Sequence, residues 1–179
     1  LRPILARHAA TRAHTPPPMF LVRLLLGLIV AYAALCVFAR LVAPGMMFLR
    51  PKPITPLAPE TIRIPTSDGV TLHARHWKNP DAKFTLLYFS GNGEELGALA
   101  SYLPEYVKAG FSVFAAEYRG YGHTAGHPRE ATTYADAKVL LEWLQRAGTP
   151  PERVIAFGFS VGGGPAVELA RTQPLAGLI

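Results

Sequence analysis

Val154-Ile155-Ala156-Phe157-Gly158-Phe159-Ser160-Val161-Gly162-Gly163-Gly164 is the stretch on which the fold of this chain turns. Its first residues are apolar without alternation, which is how a strand covered on both faces reads, and its end is crowded with glycine. A helix rich in small residues is predicted to follow over 161–171. Working outward, the same unit recurs. Thr85 to Phe89 is a continuous apolar strand ending in Ser90-Gly91-Asn92-Gly93, followed by a helix predicted over 94–108 and closed by Gly110. Phe111 to Glu117 is a further strand, Glu130 to Arg146 a further helix stopped at Gly148, and Leu175 to Ile179 begins another strand. Ahead of these, 61–65 and 70–77 read as a hairpin about the turn Thr66-Ser67-Asp68-Gly69. Unbroken apolar strands separated by helices mean a mostly parallel sheet with helices on both faces, an α/β domain.

Gly158-Phe159-Ser160-Val161-Gly162 has the G-x-S-x-G spacing. Between a strand and a helix this spacing suits a sharp turn that lifts a serine hydroxyl clear of the sheet edge, provided the flanking residues lack bulk where the two backbones approach. Ser160 is therefore the candidate nucleophile. Acyl transfer at a serine also needs main-chain N–H groups for the oxyanion. The residue after the nucleophile and the loop after the earlier strand supply them in such a fold, which points to Val161 and Asn92.

Glu117-Tyr118-Arg119-Gly120-Tyr121-Gly122, followed by Gly126-His127-Pro128, resembles the D-Y-R-G-Y-G-x-S-x-G-x-P segment of the BEM46 and ABHD13/ABHD17-like α/β-hydrolases. The resemblance covers about residues 60–179 and includes three motifs in order. Glu117 stands where Asp is usual, and Ser90 where a histidine commonly precedes Gly-Asn. It implies an α/β-hydrolase fold, an N-terminal membrane segment and a serine hydrolase acting on an ester or thioester, with palmitate-removing thioesterases among the relatives. It implies no metal and no organic cofactor.

The N-terminal third reads differently. Residues 20–43 are apolar, with no charge from Leu24 to Ala39 and arginines at 23 and 40, as expected of a single transmembrane signal anchor. Residues 44–60 carry five prolines and read as a stiff linker between membrane and catalytic domain, the latter taken as 61–179. Residues 1–19 show no core-forming period and read as an unstructured tail, with Met19 as the expected biological start. Of the 18 basic residues, seven lie in residues 1–52, which hold no acid; the other 11 face 12 acids. The basic excess thus flanks the apolar run, which fits membrane topology and not a nucleic-acid footprint, although arginines on both flanks leave orientation open. Cys36, the one cysteine, allows no intrachain disulfide and reads as a buried, inert thiol.

A triad in this fold runs serine, acid, histidine along the chain. After Ser160 there is one acid, Glu168, on the far side of its helix, and no histidine. His73 and His76 are expected to decorate the hairpin surface, and His123 or His127 to approach the site without serving as base. The chain is therefore expected to be a C-terminally truncated hydrolase, with acid and histidine beyond Ile179, and inactive by itself. Two other readings remain: a non-catalytic, membrane-tethered interaction protein, and a dinucleotide-binding domain using Gly91, Gly93 and Gly97 with Glu117. The second is disfavoured by the spacing and by Glu94 and Glu95, which place negative charge where a pyrophosphate would lie.

Overall fold

The computed structural model describes residues 18–179. Most of the expected N-terminal tail, residues 1–17, lies outside them. The chain divides into two units, residues 1–43 and 44–179.

The first described element is helix α1, Met19–Met47. Its stretch Met19–Ala43 has a mean hydropathy of 2.5, is not buried by protein, and is long and apolar enough to cross a membrane. Cys36 is exposed on this helix, so no protein packing buries its thiol.

The second unit is built on a six-stranded sheet. A hairpin pairs β1 (Ile62–Pro65) with β2 (Thr71–Trp77), and β2 pairs antiparallel with β4 (Ser112–Ala116). From there β4, β3 (Thr85–Phe89), β5 (Val154–Gly158) and β6 (Gly177–Leu178) run parallel, giving the order β1-β2-β4-β3-β5-β6. The chain steps from β3 to one side, then returns across it to β5. Strand order therefore reverses at β3, and the carboxyl ends of β3 and β5 flank the crevice where open α/β sheets place their ligands.

Strand alternation divides the core between two faces. Leu87, Phe89, Phe114, Ala116, Val154 and Ala156 pack with α4 (Glu130–Arg146) and α5 (Gly163–Thr172). Leu86, Tyr88, Val113 and Ala115 pack with α2 (Leu96–Leu99) and α3 (Leu103–Lys108) on the other face. Each fully buried leucine here contributes roughly 1.5–3 kcal/mol.

One expected helix is two. The pattern over 94–108 predicted a single helix, but α2 ends at Leu99 and α3 begins at Leu103. Pro104 has no N–H to give the Ala100 carbonyl, and so it sits in the first turn of a new helix, where no such donor is needed.

Candidate active site

β5 ends at Gly158, and the Phe159 N–H donates to the Phe89 carbonyl at 3.0 Å, holding the end of β5 against the end of β3. Ser160 follows with φ of +53°, in the left-handed region that side chains avoid. Besides Arg50 it is the only described non-glycine residue there. Such backbone strain costs on the order of 1–3 kcal/mol and persists only where the surroundings enforce it. Here they do. A Cβ on Gly158 would meet the Gly162 carbonyl oxygen at 2.6 Å and the Gly163 Cα at 2.7 Å. A Cβ on Gly162 would collide with the Phe89 carbonyl oxygen and reach the Ser90 oxygen at 2.8 Å. Residues 160–162 form one 3-10 turn, after which α5 begins. The Ser160 side chain is exposed, and no described residue hydrogen-bonds it.

The loop after β3 lies beside this turn: a Cβ on Gly91 would strike the Phe159 ring at 2.7 Å. Asn92 and Val161, the two expected oxyanion donors, thus belong to the neighbouring loops that leave β3 and β5. Neither N–H donates to another described residue. The loop is held from several sides. Glu94 accepts the Gly91 N–H at 2.7 Å, and the Tyr118 hydroxyl donates to the Ser90 carbonyl at 2.9 Å. Asn92 Oδ1 accepts from the Tyr121 hydroxyl at 2.7 Å and from the Leu49 N–H at 2.8 Å. Burial pushes the Tyr118 phenol well above its ordinary range, so it stays a donor. The Ser90 hydroxyl is itself buried without a partner, so Ser90 is held through its main-chain carbonyl and not its side chain.

The segment Phe48–Pro51, expected within a linker, lies on these loops. Phe48 is buried against Tyr118 with ring centroids 6.5 Å apart, the Gly122 N–H donates to the Pro51 carbonyl at 2.9 Å, and Arg50 meets His127 Nδ1 at 2.9 Å. Sequence reasoning missed this strap and the work of the two tyrosines. The signal available in the sequence is the placement of Tyr118 and Tyr121 on either side of Arg119-Gly120. A cavity of about 180 Å³ opens beside Val161, lined by Phe48, Tyr134, Gly164 and Pro165 among others.

The rest of the motif is structural. Glu117, buried at the end of β4, accepts the N–H groups of His123 at 2.9 Å and Thr124 at 3.0 Å and so shapes the 117–124 loop. Burial raises its pKa while these hydrogen bonds oppose the rise. Arg119 reaches both oxygens of buried Asp136, Nε at 2.8 Å and Nη2 at 2.7 Å, and also pairs with Asp68.

None of the described histidines hydrogen-bonds Ser160. His73 and His76 are not surface decoration, contrary to expectation. His73 bonds Thr124 Oγ1 at 3.1 Å, while His76 lies edge-on to Phe114 and Trp143 with both ring nitrogens buried and unpartnered. Desolvation pushes the His76 pKa down to about 4. His123 faces Glu117 at 4.0 Å, and Glu168 is engaged by Arg171. The dinucleotide layout also fails on geometry: carboxylates of Glu94 and Glu95 already take the N–H groups of Gly91, Gly97 and Ala98. Among the described residues no group of three or more His, Cys, Asp or Glu is placed to hold a metal ion.

A strand–elbow–helix serine beside a glycine-rich loop, at the carboxyl edge of a mostly parallel sheet, is the arrangement of an α/β-hydrolase, and the comparisons agree. The Hydrolase_4 family, described as serine aminopeptidase, S33, matches residues 80–179, more than half of the chain, and the chain belongs to that family. It is 39% identical over 105 residues to the α/β hydrolase domain-containing protein aho-3 of Caenorhabditis elegans, covering 56% of this chain and 31% of that protein. It is 38% identical over 105 residues to the human α/β hydrolase domain-containing protein 17B, covering 56% and 36%. The chain thus spans about a third of the length of these curated relatives. Among solved structures, a hydrolase from Pseudomonas aeruginosa superposes with a TM-score of 0.56 at 25% identity, covering 68% of this chain and 45% of that one. The Pyrococcus furiosus esterase Pf2001 superposes with a TM-score of 0.58 at 20% identity, over 70% and 52%, a likeness of fold.

Proposed function

We propose that the chain carries the nucleophile and oxyanion hole of a membrane-anchored serine hydrolase that cleaves an ester or thioester. The observation that carries this reading is the left-handed Ser160, exposed at an elbow whose two glycines abut β3 and the turn itself. Ser160 Oγ attacks the acyl carbonyl carbon, and the developing oxyanion is received by the N–H groups of Asn92 and Val161. Collapse breaks the bond to the alcohol or thiol, which leaves with the proton taken from Ser160, and water then frees the acid from the acyl-serine. The proton carrier is a histidine oriented by an acid, both contributed by parts of the whole enzyme other than the described residues. The relatives' greater length supports that placement. The described chain alone is then inactive. Anchoring falls to α1, whose span Met19–Ala43 suits a bilayer crossing.

The absence of any described histidine bonded to Ser160 favours one alternative, a hydrolase fold that serves as an interaction module without catalysis. Quenching the full-length protein during turnover of a p-nitrophenyl ester or an acyl thioester, followed by peptide mass analysis, separates the two. Acyl mass on the Ser160 peptide is expected. Turnover without acyl mass there, or no turnover of either ester class, overturns the hydrolase reading.

A further inference from the structure

We propose that the Phe48–Pro51 strap is a positioning element of the oxyanion loop and acts through the side chain of Asn92. The inference rests on the acyl-serine reading above. The loop Ser90–Gly93 contains two glycines and, with Gly93 at φ +90°, little intrinsic stiffness, so its shape depends on what grips it. Three of the grips come from within the domain: Tyr118 on the Ser90 carbonyl, Glu94 on the Gly91 N–H, and Tyr121 on Asn92 Oδ1. The fourth comes from the strap, where the Leu49 N–H takes the second lone pair of the same Asn92 oxygen at 2.8 Å. A half-buried amide oxygen that accepts two hydrogen bonds is restricted in rotamer and plane, and the N–H of that same residue is the one assigned to the oxyanion.

The strap is built to stay in place. Phe48 is 6% exposed and packs with Tyr118 and Tyr121 in a small cluster of their own, separate from the two cores under the sheet faces. Pro51 accepts the Gly122 N–H, and Arg50, held at φ +48°, reaches His127. Phe48 follows directly on Met47, the last residue of α1.

The test uses the full-length protein with p-nitrophenyl butyrate, and kcat is expressed per serine titrated by a fluorophosphonate, so that misfolded molecules do not count. Tyr121→Phe removes one donor and leaves the ring in its cluster. Phe48→Ala releases the strap without opening either core. Each is expected to lower kcat about tenfold with KM little changed, because a displaced donor weakens transition-state stabilisation and not substrate binding. Since both act on one oxygen, the double variant should lose far less than the product of the two. A lowered melting temperature with unchanged kcat per titrated site, or losses that multiply, would overturn the proposal. Full activity in Ser160→Ala would instead remove the acyl-serine reading, and this inference with it.

Discussion

The Phe89 carbonyl oxygen occupies the space that a Cβ on Gly162 would need. Both groups are main chain, so neither can swing aside. The contact welds the end of β3 to the turn that carries Ser160. Gly162→Ala is therefore expected to destabilise the fold by about 1–3 kcal/mol or more and to displace the serine. Gly163, where an added Cβ meets nothing within 4 Å, is the control. Gly163→Ala should be neutral or stabilising by up to about 1 kcal/mol, since alanine suits a helix start better. Urea midpoints of the two variants check the contrast; equal effects would contradict it.

Arg119 and Asp136 form a buried fork, with side chains 7% and 8% exposed. Removing the guanidinium strands a carboxylate away from water, so Arg119→Ala is expected to cost about 3–5 kcal/mol in chemical denaturation. Arg119→Lys should recover only part of this, because an ammonium cannot meet both oxygens in one plane. Complete recovery by lysine would show that charge alone matters there.

His76 gives the domain an acid-sensitive component. Its ring is pushed down to about 4, chiefly by burial and secondarily by Lys78. Between pH 6.5 and 4 the unfolded chain binds a proton here that the folded one refuses, so stability falls as pH drops through that window and levels off below it. The raised pKa of buried Glu117 acts with the opposite sign, but is common to both proteins when wild type is compared with His76→Phe. Phenylalanine sacrifices no hydrogen bond at this site. Melting temperatures from pH 7.5 to 4 should show the variant gaining on wild type as pH falls, and parallel curves would refute the assignment.

The sheet was legible because its strands are short apolar runs punctuated by glycine, and period and punctuation are local signals. The elbow was legible for the same reason: Gly158, Ser160 and Gly162 are close in sequence, so close approach and strain are written into five residues. What was missed depends on partners distant in the chain. Leu49 and Asn92 are 43 residues apart, and nothing in Pro-rich 44–60 announces that its first residues dock. His76 reads as hairpin surface from its place in the strand, but Phe114 and Trp143 reach it from β4 and α4, partners distant in the chain. Pro104 could have split the predicted helix by a local rule, but the apolar spacing on either side masked it.

The chemistry assigned to Ser160 is tested most directly by exposing the full-length protein and its Ser160→Ala variant to a fluorophosphonate probe, with circular dichroism confirming that both are folded. Labelling of the wild type, confined to the peptide that contains Ser160 and lost in the variant, is the expected result. A folded wild type that takes no label, or a variant that labels as readily, would contradict it.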